Sequence, residues 1–285
     1  MKKLILLLFL TLSNFIFSQE DEGTYMDGFG IWTNNDKKAY IFADICNVRA
    51  EADQKSEVLG KLFIGNEVQI TKVTTIPYSQ NGIKSTWIKI KAGPLQGYVW
   101  GGMLTNQVEK LKDNTTVLWG ITDVKTTEEK TDTYASIRII EKESIKTKFD
   151  FIVKYGSRPM AGSLEVKDAP LINETLNLIT FNTYSEACGE YASQHYFLYS
   201  TSKVLHSVGS GYSMADGGVL GISKTYIFPY PEEDNFQGYH YTPNKEHIFC
   251  VENTGEYDEE CIWVEITKVI DFVWDGKGLV KSCDY

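Results

Sequence analysis

Long apolar runs, histidines and cysteines are scarce in this chain of 285 residues, and each shortage argues against a class of function. Beyond residue 18 no segment has the apolar length of a transmembrane helix. Among the 4 histidines, His240 and His247 are too far apart for the short ligand spacing of a typical metal site. Gly209-Ser210-Gly211 lacks the pattern of a nucleophile elbow. The sequence therefore predicts no metal, no cofactor and no membrane span after the leader.

Basic residues are also outnumbered, because 28 Lys and Arg stand against 38 Asp and Glu for a net charge of −10. Such a chain repels nucleic acid, and no basic stripe with interleaved aromatics occurs, so no nucleic-acid partner is expected. The hydrophobic share of 42% and aromatic share of 13% are enough for packed cores. The length fits two domains.

Residues 1–18 have the pattern of a secretory signal peptide. Lys2 and Lys3 precede an apolar run from Leu4 to Leu12, and a small polar stretch ending at Ser18 precedes the expected cut. The apolar core is short for a membrane span, so cleavage is favoured over an uncleaved anchor. We therefore expect a secreted or periplasmic protein, with the choice between those two locations left open.

Four motifs in residues 39–106 resemble the bacterial SH3 (SH3b) domain. They occur in the family's order and at its usual distances. They are Cys46-Asn47-Val48-Arg49, Ser56-Glu57-Val58-Leu59-Gly60-Lys61-Leu62, the glycine turn and strand from Phe63 to Ile70, and Trp87-Ile88-Lys89-Ile90 with Gly97-Tyr98-Val99-Trp100. The alternation of Val68 and Ile70 with polar neighbours agrees with short half-buried strands, and Gly97 is expected where a close backbone approach excludes a side chain.

The resemblance implies a small β-barrel that holds a peptide or peptidoglycan-type ligand. The family motif does not itself assign contact residues. The candidate contacts are four aromatics of the module that can stack on a sugar or peptide, Tyr78, Trp87, Tyr98 and Trp100. Tyr78 and Trp100 are the preferred candidates, since core packing is the competing interpretation for the other two.

The rest of the chain predicts a second antiparallel β-rich domain, either a sandwich or a meander, so the fold class is all-β. Residues 19–38 are a lead-in segment, residues 107–116 interrupt the apolar pattern and are interpreted as a linker, and residues 117–285 form the second domain. This second region matches no family that its motifs identify.

Alternating residues locate hairpins within the second domain. Apolar positions from Ala135 to Ile139 and from Thr147 to Val153 flank a turn at residues 141–143. Asp275-Gly276 predicts a tight turn near the end of the chain. Strands are expected at residues 196–200 and 224–228, and a helix is considered only around residues 185–194.

Two disulfides are considered among the 5 cysteines. Cys250 and Cys261 lie symmetrically about Gly255-Glu256, so a hairpin turning there would place them opposite each other. Cys188 and Cys283 remain as a second candidate pair, which spacing alone does not establish.

Cys46 occupies an apolar position of the SH3b pattern, so it is expected to be a buried free thiol. Because SH3b modules are often fused to cell-wall hydrolases, Cys188 is a candidate nucleophile, with His195, His206, His240 and His247 downstream of it. Its neighbours Ala187 and Gly189 depart from the Asp-Cys-Ser-Gly pattern of the cell-wall cysteine peptidases.

The sequence thus favours an exported, non-catalytic binding protein whose SH3b module binds a peptide or peptidoglycan. In one alternative, that module is a structural or interaction element while the C-terminal domain binds an envelope partner. In the other, the chain is a cell-wall hydrolase of unrecognised type. The oligomeric state is left open.

Overall fold

The computed structural model describes residues 38–105, 107–128, 131–153, 162–169, 171–183, 192–216, 220–229, 247–257 and 263–282. These residues form three antiparallel sheets, which we call A, B and C. Apart from one short 3-10 turn at Gly101–Met103, every regular element within these ranges is a strand. The predicted all-β class is confirmed.

Sheet A is a curled half-barrel with the strand order β3-β2-β6-β5-β4-β1-β7. Its strands are β1 (Lys38–Ile41), β2 (Ile45–Arg49), β3 (Val58–Phe63), β4 (Glu67–Gln80), β5 (Ile83–Ala92), β6 (Leu95–Trp100) and β7 (Leu104–Thr105). Inward-facing Val68, Ile70, Ile88 and Ile90 are almost completely buried, as the predicted period-2 alternation requires. The sheet coincides with the part of the chain that resembles the SH3b module.

Sheet B has four strands in the order β11-β10-β9-β8. They are β8 (Val108–Lys110), β9 (Thr116–Thr126), β10 (Thr131–Glu141) and β11 (Ser144–Val153). The hairpin between β10 and β11 pairs Ile137 with Phe149 and turns at the predicted residues, where Lys142 adopts a φ of 56°. This predicted hairpin is confirmed.

Sheet C is an eight-stranded meander in which each strand pairs with its neighbours in the chain. It comprises β12 (Gly162–Asp168), β13 (Thr175–Thr183), β14 (Ala192–Ser200), β15 (Leu205–Asp216), β16 (Leu220–Ile227), β17 (His247–Tyr257), β18 (Trp263–Trp274) and β19 (Leu279–Lys281). The predicted strands at residues 196–200 and 224–228 and the turn at Asp275-Gly276 are confirmed. Residues 192–194 continue strand β14 rather than a helix, and residues 185–191 lie outside the described residues.

Aromatic rings join sheets B and C face to face. The ring centres of Phe149 in β11 and Phe197 in β14 are 5.3 Å apart, and those of Trp119 in β9 and Phe181 in β13 are 4.7 Å apart. Both pairs of rings are arranged edge to face. One continuous set of buried residues extends from sheet A through these rings into sheet C. The three sheets therefore share a core. Sheet B packs on sheet C as in a sandwich, and sheet C is itself a meander.

The junction between sheets A and B is centred on Arg138 of β10. Its Nη1 donates hydrogen bonds to the carbonyl oxygen of Phe42 at 2.8 Å and to the carboxylate of Asp44 at 3.0 Å. Its guanidinium lies 4.1 Å from the centre of the Phe42 ring. Gly120 faces the same ring so closely that an added Cβ would approach it to 2.6 Å. Contact this tight requires glycine at position 120.

Residues 107–116, a predicted linker, contain one strand and a turn that bond to the sheets. They contribute strand β8, and the Gln107 side chain bridges two other strands. Its Oε1 accepts hydrogen bonds from the backbone N–H of Leu164 at 2.7 Å and from Nε1 of Trp119 at 3.0 Å. The Lys112 backbone N–H donates to Oδ1 of Asn177 at 3.1 Å. The charged residues that interrupt the apolar pattern here lie on an edge strand and a turn.

Candidate functional site

Three of the four predicted ligand-contact aromatics meet in the interior of sheet A. Tyr78 lies 5.7 Å from Trp87 and 5.5 Å from Trp100 between ring centres, and Trp100 Nε1 donates to the Tyr78 carbonyl oxygen at 3.0 Å. Trp87 is 4% exposed and Trp100 is 5% exposed. Burial leaves little of either tryptophan ring exposed, so core packing accounts for Trp87 and for Trp100, one of the two preferred contacts.

Tyr98 is the predicted contact that lies in a groove. Its half-buried ring lines a concavity of 480 Å³ between residues 50–52 and residues 72–76 of β4. The Lys89 ammonium lies 5.7 Å from the ring centre. Core packing is the competing interpretation for Tyr98 in the sequence, and the structure places this residue beside an open groove.

The wall formed by residues 50–52 is held by polar contacts of the loop between β2 and β3. Arg49 Nη1 donates to the Ser56 carbonyl oxygen at 2.7 Å, and the Glu51 backbone N–H donates to Ser56 Oγ at 2.8 Å. Gly97 beside Tyr98 allows β6 to approach β2, because an added Cβ would lie 2.4 Å from the Arg49 carbonyl oxygen. The predicted close backbone approach at Gly97 is confirmed.

The opposite wall is an irregularity in β4. Its pairing with β5 shifts between Val73 and Pro77, so residues 74–76 leave the regular ladder. Thr74 Oγ1 donates to the Trp87 carbonyl oxygen at 2.6 Å and accepts from the Ile76 backbone N–H at 3.2 Å. Pro77 was the available sequence signal, since proline within a strand pattern marks an edge or a bulge.

The groove combines apolar walls with one charge of each sign. Ala52, Val73 and the 48% exposed Ile76 supply apolar surface, while Glu51 and Lys72 supply an acid and a base. An aromatic ring beside aliphatic walls accommodates the apolar face of a peptide or sugar. The two charges suit a ligand that carries both an amine and a carboxylate.

Two of the candidate catalytic histidines, His195 and His206, pack against aromatic rings. The ring centre of His195 lies 4.8 Å from that of Phe151, and the ring centre of His206 lies 5.4 Å from that of Trp274. His247 Nδ1 lies 3.0 Å from both carboxylate oxygens of Asp271. His240 lies outside the described residues. No group of three or more potential metal ligands occurs within the described ranges.

The two described cysteines, Cys46 and Cys250, are buried free thiols. Burial raises the pKa of Cys46 to about 12, so this thiol is protonated at neutral pH, and the predicted buried thiol is confirmed. Burial likewise raises the pKa of Cys250.

The predicted hairpin turn at Gly255-Glu256 is wrong, because β17 runs on to Tyr257 and pairs Cys250 with Ile270. The symmetric spacing of Cys250 and Cys261 about that turn therefore no longer supports a disulfide between them. Three cysteines, Cys188, Cys261 and Cys283, lie outside the described residues, so the nucleophile hypothesis for Cys188 stays a prediction.

Comparison with known proteins adds no family assignment. No protein-family model matches the chain, no curated protein is similar to it, and no solved structure matches it. Across the part of the chain that the structure describes, no helix is both long and apolar enough to cross a membrane. Functional interpretation therefore depends on the residues themselves.

Proposed function

We propose that this chain is an exported, non-catalytic binding protein of the bacterial cell envelope, and that the groove beside Tyr98 holds a peptide or peptidoglycan-type ligand. The observation that carries the proposal is the groove itself. It has a volume of 480 Å³ and places an aromatic ring between two walls that backbone and side-chain hydrogen bonds hold in position. The volume falls within the range of about 300–1,000 Å³ typical of ligand sites.

Chemistry at the groove supports a zwitterionic peptide in particular. The carboxylate of Glu51 suits a ligand amine, the ammonium of Lys72 suits a ligand carboxylate, and Tyr98 contacts the intervening apolar atoms. Peptide chains cross-linking a cell wall carry amines and carboxylates of this kind. The resemblance to wall-binding SH3b modules and the leader-like residues 1–18 support the same assignment.

The proposal is tested by sedimenting residues 19–285 with purified peptidoglycan. The whole segment is used because the half-barrel shares its core with sheets B and C. We expect the protein to pellet with the wall material and Tyr98→Ala to remain largely in the supernatant. Tyr40→Ala is the matched control, because Tyr40 is a half-buried tyrosine of the same sheet that does not line the groove.

Three results would count against the proposal. Unmodified protein that stays in the supernatant at both low and high salt would refute wall binding. Equal pelleting of the Tyr98→Ala variant and the unmodified protein would refute the groove as its site. Loss of pelleting in both tyrosine variants would show a general disturbance of sheet A, and would also count against a specific role for Tyr98.

A further inference from the structure

A second concavity lies across strands β12 to β17 of sheet C, in a part of the chain that shares no residue with the groove beside Tyr98. Its volume is 520 Å³, again within the range of about 300–1,000 Å³ typical of ligand sites.

Small side chains in adjacent strands produce this cleft. Ala192 pairs with Ser213, Ser213 with Ser223, and Ser223 with Asn253, so these four residues form one row across β14, β15, β16 and β17. Gly211 lies two residues before Ser213 in β15, and an added Cβ there would lie 2.5 Å from the Lys224 carbonyl oxygen. Small residues at positions 192, 211, 213 and 223 leave space above the middle of the sheet that larger residues would fill.

Hydroxyl and carboxamide groups dominate the lining. Asn182 and Gln194 form a cross-strand pair at one side, and Thr225 and Asn253 lie at the other. Asn182 is only 8% exposed, and its Oδ1 is buried without a hydrogen-bond partner, as is Oδ1 of Asn253. A buried acceptor without a partner is destabilising, so a ligand that donates hydrogen bonds to these two oxygens would satisfy them.

Charge at the cleft is already balanced within the protein. The Glu165 carboxylate lies 3.2 Å from the Lys167 ammonium, and the Lys224 ammonium lies 3.4 Å from the Glu252 carboxylate. An ionic ligand would therefore meet no uncompensated charge of opposite sign from these groups. An apolar ligand would leave the lining hydroxyls and amides without partners.

We propose that this cleft is a second binding site, and that it takes an uncharged, hydroxyl-rich ligand such as a neutral oligosaccharide. Sugar hydroxyls both donate and accept hydrogen bonds, which matches the serine, threonine and carboxamide groups of the lining.

The test is calorimetric titration of residues 19–285 with three neutral trisaccharides, maltotriose, cellotriose and chitotriose, and with the anionic trigalacturonate. Ser213→Trp fills the cleft, and Ser207→Trp is the matched control on the same strand, since Ser207 is exposed and lies outside the cleft. Asn253→Ala removes one ligand acceptor without filling the cleft. Thermal unfolding of each variant verifies that it is folded.

We expect at least one neutral trisaccharide to bind and trigalacturonate to bind more weakly. Ser213→Trp should abolish binding, Ser207→Trp should leave it unchanged, and Asn253→Ala should weaken it by about tenfold or less, the effect of one lost hydrogen bond.

The inference is overturned if no neutral trisaccharide binds at millimolar concentration, if trigalacturonate binds best, or if Ser213→Trp binds as the unmodified protein does. Binding that Tyr98→Ala abolishes and Ser213→Trp preserves would assign the sugar to the groove of sheet A. That outcome would reject the second site and leave the proposed function intact.

Discussion

Replacing Arg138 by methionine should destabilise the whole described fold, because this side chain joins sheet A to sheet B. Methionine keeps most of the aliphatic contact with the Phe42 ring but removes the guanidinium. The change eliminates the hydrogen bonds to the Phe42 carbonyl oxygen and to the Asp44 carboxylate, together with the cation–π contact at 4.1 Å. Each loss can be assigned an approximate magnitude.

The hydrogen bond from the charged Arg138 to the buried Phe42 carbonyl is worth about 1.5–3 kcal/mol, and the cation–π contact about 0.5–2 kcal/mol. The Asp44 side chain is 73% exposed, so the ion pair adds only about 0–1 kcal/mol. Burial of the guanidinium, which lowers the pKa of Arg138, and the unpartnered Nε oppose these gains. We therefore expect a net loss of about 2–3 kcal/mol for Arg138→Met.

This loss can be measured by unfolding residues 19–285 in urea while tryptophan fluorescence is monitored. A less stable variant unfolds at a lower midpoint concentration of urea. The control is Lys148→Met, because Lys148 is the cross-strand partner of Arg138 and its side chain, which pairs with Asp150, is 52% exposed. We expect the control to change the unfolding free energy by less than about 0.5 kcal/mol. Equal effects of the two substitutions, or an Arg138→Met effect within that same limit, would refute the assigned role of Arg138.

Two further predictions concern backbone space and thiol chemistry. Gly82→Ala should cost about 2 kcal/mol or more in urea unfolding, because Gly82 has φ 70° and an added Cβ would lie 1.8 Å from the Val124 carbonyl oxygen. Gly93→Ala, at φ 55° with open space, should cost about 1 kcal/mol, and the reverse order would contradict the geometry. With its pKa raised to about 12, Cys46 should resist thiol reagents at pH 8 until urea unfolds the chain. Labelling of Cys46 at equal rates in folded and unfolded protein would contradict its burial.

The pKa of Cys46 also fixes the sign of a pH effect on stability. Since the folded pKa lies above the ordinary thiol value of 9.0, the unfolded chain loses this proton first as pH rises. Stability contributed by the neutral thiol is present below pH 9.0 and is lost as pH rises towards about 12. Cys46→Val should therefore show a shallower loss of stability over that alkaline window than the unmodified protein. A steeper loss in the variant would contradict this sign.

Local pattern was sufficient to predict the strands whose two faces differ. Ala135 to Ile139 and Thr147 to Val153 alternate because one face meets the core and the other meets solvent, and the hairpin turns where expected. Gly97 was predicted correctly for a similar reason, since its lack of a side chain has one simple explanation. These features depend on interactions between neighbours in sequence or in one hairpin.

Features that depend on distant partners were not predictable. Residues 107–116 have the sequence pattern of a linker. The contacts that fix them in the fold are hydrogen bonds of Gln107 and Lys112 to Leu164 and Asn177, which are too far along the chain to leave a local pattern. The turn after β17 was misplaced because a glycine and acidic residues continue that strand. Nothing in the sequence spacing indicates that Ser213, Ser223 and Asn253 form one row, since strand register sets that arrangement.

The aromatics of sheet A illustrate the same limit at the candidate site. Tyr98 and Trp100 belong to one strand, point to the same side by parity, and differ in exposure because Trp100 meets Tyr78 while Tyr98 lies beside the loop after Arg49. Strand alternation alone does not separate them. The neighbouring segments decide which ring is buried.

Hydrogen–deuterium exchange of residues 19–285, with and without soluble disaccharide-peptide fragments of peptidoglycan, tests the central claim most directly. We predict slower exchange on ligand addition in residues 50–52 and 72–76, which form the two walls of the groove beside Tyr98. The Tyr98→Ala variant should lose this protection. The account would be contradicted if the fragments slow exchange in other segments of the chain to a constant level while exchange in both walls of the groove stays unchanged.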